Sequence, residues 1–427
     1  MKKYFMKNLE DVGKLLKRPS IDFEGVRGVV SDVLSDVRES GDEALREYTK
    51  RFDGVDIGEF LVSEDDIEEA CERVDGELLK AFEVAANNIE TFHKAELPSR
   101  IEVEPVPGVK CFREARAIEK VGLYVPGGTA PLPSTVLMLG IPARVAGCKE
   151  IVMCTPPEKD GKVPDIILFA AKLAGVTQVY KVGGAQAIAA MVYGTESVPK
   201  VFKVFGPGNQ YVTSAKMLLS VDPDGSAIDM PAGPSELLVI ADKSARADFV
   251  AADLLSQAEH GADSQVVLVS DDDNKVNEIL QEIERQLVEL PRKKIAEQAL
   301  SKSFVLVVQN LDEAFEFSNL YAPEHLILNI ENADGYLSSV ENAGSVFIGP
   351  YSCESAGDYA SGTNHTLPTY GYARMYSGVN TESFMKQVTF QKISKSGLEN
   401  LGPSIEKMAE SEQLFAHKNA VTIRIND

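Results

Sequence analysis

The pattern that most restricts this chain is a short apolar run, a glycine turn and a helix-like stretch, repeated in tandem. TQVYKVGGAQAIAAMVYG at 177–194 has that order, and VFKVFGPGNQYVTSAKMLLS at 201–220 has it again. EIVMCTPP at 150–157 is an apolar run ended by prolines, and PDIILFAAKLAGV at 164–176 follows with helical spacing. Strands that are apolar on both faces and separated by helices build a parallel sheet buried between helix layers. The plan resumes downstream, where ELLVIAD at 236–242, SQVVLVS at 264–270, VLVVQN at 305–310, HLILNI at 325–330 and SVFIG at 345–349 read as buried strands. ARADFVAADLLSQAEH reads as the helix between the first two of these. A chain of 427 residues exceeds one ordinary core. The predicted fold class is α/β, with two parallel-sheet domains and small helical parts at both ends. One domain spans 130–235. The other joins 21–129, which reads mostly as helix up to 106, to 236–380. An extension at 1–20 and a helical, polar tail at 381–427 flank them.

Charge narrows the partners. The formal net charge is -22, a surface that repels a phosphate backbone, so nucleic acid is not an expected partner. Small anions are not excluded, because helix N-termini bind them locally. No stretch approaches the roughly 18 apolar residues of a membrane span. Charges at Lys7, Glu10 and Asp11 break any apolar leader at the start. The five cysteines are scattered and contain no CxxC, which fits free thiols and a reducing, cytoplasmic setting.

The chemistry concentrates at glycine turns and histidines. The turns at 183–187 and 206–209 let a ligand approach the backbone, and each opens a helix whose N-terminus favours an anion. Neither is GxGxxG, so each also reads as a plain strand-to-helix turn. Gln186 and Asn209 place polar groups at both mouths, where open α/β sheets bind ligands. There are five histidines. His93 sits in a helical region and reads as structural or exposed. His260 ends a helix-like run and stands three residues after Gln257, a spacing that puts both on one face and suits one metal ion, or marks an ordinary helix end. His325 follows Glu324 at the start of a strand, as an acid–base pair or as a polar strand entry. His365 and Asp358 lie in a glycine-rich polar run that reads as a site or as a surface loop. His417 stands near the C-terminus, beside Lys418. Nitrogen and oxygen donors of this kind suit zinc, although HExxH is absent.

The motifs GLYVPGG at 122–128, VGGAQAIAA at 182–190, FGPGN at 205–209, DMPAGPSE at 229–236, DLLSQAEHG at 253–261, PEHL at 323–326, AGSVFIG at 343–349, ESAGDYASGTNHTLPTYG at 354–371 and AHKNAV at 416–421 together resemble the histidinol dehydrogenase family. The resemblance implies oxidation of L-histidinol to L-histidine through L-histidinaldehyde with two NAD+. It implies an intertwined homodimer of incomplete Rossmann-like domains with one zinc per subunit. The implied zinc ligands are Gln257, His260, Asp358 and His417, and the implied catalytic pair is Glu324 and His325. Substrate contacts fall on Ser235, His365 and Glu412, and also on His325 and the four zinc ligands. NAD contacts fall on Tyr124, Gln186 and Asn209. Glu412 and His417 are implied to serve the neighbouring subunit. Gln413 and Phe415 depart from the small residues usual before the last histidine. Another dehydrogenase on this scaffold, a zinc hydrolase using Glu324, and a catalytically silent binding protein are the rival readings.

Overall fold

The computed structural model describes residues 1–6, 9–18, 23–127 and 131–427. Gly128, the second glycine of the 122–128 motif, lies outside them. Two parallel sheets carry the fold. The first, in spatial order, holds Gln178–Lys181, Glu150–Thr155, Lys120–Tyr124, Lys203–Phe205 and Ala227–Ile228. Its inner strands are buried on both faces because helices cover both. Val152, Cys154, Tyr180 and Val204 face one core, shared with Val30, Val33 and Leu45 of the early helices and with Ile188 and Val212. Their neighbours Ile151, Met153, Val179 and Phe205 face the other, shared with Ile89, Leu137 and Leu168. This alternation is the period-2 pleat applied to runs with no polar face.

The second sheet has six strands, ordered Lys2–Phe5, Phe304–Val307, Gln265–Ser270, Glu236–Ala241, His325–Asn329 and Ser345–Ile348, all parallel. The same alternation splits it. Leu237, Val239, Val266 and Leu268 pack on one side against Leu254 and Ile279. Leu238, Ile240, Val267 and Val269 pack on the other against Phe317 and Tyr321. The fold is therefore α/β with Rossmann-like parallel sheets. Among the described residues no helix is long and apolar enough to cross a membrane. The five cysteines are unpaired.

Three features differ from the sequence pattern. The helices between 23 and 95 sit on the five-stranded sheet, not on the six-stranded one, as the shared core of Val30, Leu45 and Ile188 records. Lys2–Phe5, in a segment that reads as helix, is an edge strand aligned with Phe304–Val307. The tail beyond 380 is not all helical. Met385–Ile393 is a nine-residue strand, antiparallel to Val109–Ala117, which in turn pairs with Ile101–Val106. Phe390 stacks on Phe112 across that pair, with ring centroids 4.8 Å apart. Only then come the helices Lys395–Ser411 and Phe415–Ile425, packed on each other.

Candidate active site

A cleft of about 1410 Å³ runs between the carboxyl edge of the five-stranded sheet and the amino edge of the six-stranded one. From the first edge come Tyr124, ending its strand, and Gln186 and Asn209, just beyond theirs. From the second come Ser235, Glu324 and His325, at the starts of theirs. Gln257, His260, Asp358 and His365 complete the wall.

The cofactor-side turns need glycine. Gly206 has φ +123°, and a Cβ there would stand 2.1 Å from the Tyr124 carbonyl oxygen. Gly184 has φ +66°, and its N–H donates to the buried Tyr124 hydroxyl at 3.1 Å. Burial pushes that phenol up to about 12. Gln186 is almost inaccessible, and its Oε1 has no partner. Asn209 Oδ1 caps its own helix, accepting from Tyr211 N at 3.0 Å and Val212 N at 3.2 Å. A buried ion pair, Lys216 with Asp229, braces the same turn. Lys216 Nζ donates to the Gly206 carbonyl at 2.9 Å, and Asp229 Oδ2 accepts from Gly206 N at 2.8 Å. Asp53, which the sequence did not single out, also lines this end, with Oδ2 unpartnered and the carboxyl pushed by burial to about 6.

The other end is a knot of ionisable groups. His325 is buried, and desolvation pushes its imidazole down to about 4, so the ring is neutral at ordinary pH. Its Nδ1 faces the Glu236 carbonyl at 3.2 Å and therefore carries the hydrogen. That leaves a lone pair on Nε2, which has no hydrogen-bond partner and lies 3.7 Å from Asp358 Oδ1. Glu324 is also buried, and its carboxyl is held well above the usual range by desolvation. Its Oε2 accepts from Glu236 N at 2.7 Å. Glu354, likewise missed, is buried with its carboxyl raised by desolvation, and its Oε1 stands 3.4 Å from His325 Nδ1. Its only sequence signal was its place at the head of the 354–371 motif. Both His365 nitrogens are engaged, Nδ1 with the Asp358 carbonyl at 2.8 Å and Nε2 with Thr135 Oγ1 at 3.2 Å. Desolvation lowers that imidazole too.

The donor set suits a metal ion. Gln257 is fully buried in the last turn of its helix, and neither its Oε1 nor its Nε2 has a partner. An orphaned buried amide costs about 1–3 kcal/mol, which a ligand to its oxygen offsets. The helix does not continue through His260 as the spacing suggested. It ends at Ala258, and His260 N turns back to the Gln257 carbonyl at 3.3 Å ahead of Gly261. His260 Nε2 nevertheless comes within 3.8 Å of Asp358 Oδ2. His325, Glu354 and Asp358 form a second metal-capable group, with ligand atoms all within 4.8 Å of one another. Asp358 belongs to both sets. Glu412 and His417 do not reach this cleft. Both are exposed on the C-terminal helical pair.

A family model described as "Histidinol dehydrogenase" matches residues 16–425. A histidinol dehydrogenase of Bacteroides thetaiotaomicron is 54% identical over 98% of this chain and 97% of that protein. A chloroplastic one of Arabidopsis thaliana is 55% identical over 100% of this chain and 92% of that protein. The crystal structure of histidinol dehydrogenase from Elizabethkingia anophelis superposes with a TM-score of 0.97 at 54% identity, covering 100% of this chain and 98% of that one.

Proposed function

The chain belongs to the histidinol dehydrogenase family of NAD-dependent oxidoreductases, and on that premise we propose that it converts L-histidinol to L-histidine through L-histidinaldehyde. The balance is one histidinol, one water and two NAD+ giving histidine, two NADH and three protons. The observation that carries the reading is the neutral, buried His325 with its free Nε2 in the same cleft as Glu324 and the glycine turns. Gln257, His260 and Asp358 would hold zinc, with His417 of the partner subunit as fourth ligand in a homodimer. Tyr124, Gln186 and Asn209 would line the dinucleotide, and Ser235, His365 and the partner subunit's Glu412 the substrate.

Bound NAD+ would supply the hydride acceptor for both oxidations, and zinc held by Gln257, His260 and Asp358 would supply orientation of the substrate. His325 Nε2 takes the hydroxyl proton as hydride leaves the carbinol carbon. The Nδ1–H bond to the Glu236 carbonyl fixes the tautomer that makes this possible. Glu324, once ionised, is a stronger base than an exposed glutamate, because burial disfavours its charge. It removes a proton from the water that adds to the aldehyde. The resulting diol loses the second hydride and becomes the carboxylate.

Glu324→Gln is expected to slow aldehyde oxidation by about a hundredfold or more and alcohol oxidation far less. Equal losses in the two half-reactions would remove Glu324 from the water step. The metal group of His325, Glu354 and Asp358 supports a second reading, in which His325 is a ligand. His325→Asn with full zinc content and slowed alcohol oxidation supports the base. Loss of stoichiometric zinc in that variant supports the ligand.

A further inference from the structure

Arg18 comes from a segment that the proposed chemistry does not use. Its guanidinium is almost inaccessible and grips the buried Glu236 carboxylate with two parallel bonds, Nε to Oε1 at 2.9 Å and Nη2 to Oε2 at 3.0 Å. Nη2 also donates to the Tyr321 carbonyl at 2.5 Å, and the guanidinium lies 3.5 Å from the Tyr321 ring centroid. Glu236 Oε1 takes a further donor, Tyr370 N–H, at 3.0 Å. One side chain thus ties together the start of the strand Glu236–Ala241, the end of the helix Leu311–Tyr321 and the loop after His365.

Each of those segments carries a proposed site residue. Ser235 precedes Glu236, Glu324 and His325 follow Tyr321 across a short turn, and His365 stands just before Tyr370. The turn passes through Ala322 at φ +51°, a left-handed conformation that alanine rarely adopts and that its surroundings must hold. The main chain of Glu236 then reaches the acid–base pair directly, donating its N–H to Glu324 and offering its carbonyl to His325. A buried arginine–glutamate pair is a poor device for stability alone, because an apolar pair of similar volume often does as well. Its bidentate fork does fix direction.

We infer that Arg18 is a positioning residue, setting through Glu236 and Tyr321 the direction in which Glu324 and His325 enter the cleft. The inference rests on the proposed roles of those two residues.

The test compares wild type, Arg18→Met, Arg18→Lys and the double variant Arg18→Met/Glu236→Leu for melting temperature, zinc content, kcat and KM. Arg18→Met strands a buried carboxylate, so both stability and kcat fall. The double variant removes both charges. Its melting temperature is expected to return most of the way, with zinc content and the KM for NAD within about twofold of wild type. Its kcat is expected to stay about tenfold or more below wild type, the cost of a displaced acid–base pair. Arg18→Lys, which keeps the charge but not the fork, is expected between the two. Recovery of kcat together with melting temperature in the double variant would overturn the inference, as would wild-type kcat in Arg18→Lys, the milder variant that serves if the others do not fold. Failure of the underlying reading shows elsewhere, as wild-type kcat in Glu324→Gln and His325→Asn.

Discussion

At the scale of single residues, burial decides what the polar groups can do. His93 is fully inaccessible, bonded through Nε2 to Asn364 Nδ2 at 3.1 Å, and desolvation pushes it down to about 4. In the unfolded chain a histidine titrates near 6.5. Between those values the unfolded state binds the extra proton, so stability is full above about 6.5 and falls as pH drops toward 4, by roughly 1 kcal/mol per pH unit. Denaturant midpoints measured from pH 7 to pH 5 should fall more steeply in wild type than in His93→Gln, and parallel slopes would refute the assignment. Gln257 gives the opposite case, an amide that costs stability until something binds it. Gln257→Met is expected to raise the melting temperature of the chelator-treated protein while lowering zinc affinity by tenfold or more. Melts with chelator and a zinc titration read the two effects separately. The sequence could point to Gln257, Glu324 and His325 because unusual polar residues stood beside apolar runs. It could not point to Arg18, whose partners Glu236 and Tyr321 are more than two hundred residues away.

At the scale of elements, the strands of the sheet interiors were legible because both faces are apolar. Gln265–Ser270 and Glu236–Ala241 lie inside the runs read as strands. Lys2–Phe5 and Met385–Ile393 were not legible, since each is a strand only by virtue of a partner far along the chain. KKYF has no apolar pattern of its own, and the nine-residue strand has polar residues at most of its exposed positions. The glycine turns were legible as turns, but their brace was not. Lys216 sits within the helix Gln210–Ser220 and Asp229 within a motif, and nothing in their spacing joins them. Lys216→Met takes from the buried Asp229 carboxylate its ion-pair partner, leaving it the Gly206 and Met230 N–H groups, and is expected to cost about 3 kcal/mol. The same change should raise the KM for NAD, since the Gly206 turn loses its support. A denaturation curve and steady-state kinetics check both, and an unchanged KM would separate the brace from the cofactor site.

At the scale of the whole molecule, the cleft joins opposite ends of two sheets, and its proposed fourth ligand is absent from its own wall. His417 is exposed on the C-terminal helices, which hang from the antiparallel strand pair. A dimer that exchanges these helices has a testable stoichiometry. Mixing His260→Ala with His417→Ala subunits would place both lesions in one site of each mixed dimer and leave the other site whole. Random reassociation should then restore about one quarter of wild-type activity, half the dimers being mixed and half their sites intact. No recovery despite verified mixed dimers would place all ligands in one chain.

The edge strand Lys2–Phe5 has a consequence for synthesis. Its partner, Phe304–Val307, lies about 300 residues downstream. At roughly 5–20 residues per second, the ribosome delivers that partner about 15–60 s after the edge strand emerges. The strands of the five-stranded sheet are all made by Ile228, well before then, although its core closes only when Phe384 stacks on Phe205. Docking of the edge strand would therefore wait for the second half of the chain, and the Arg18 clasp would wait in the same way for Glu236, 218 residues downstream.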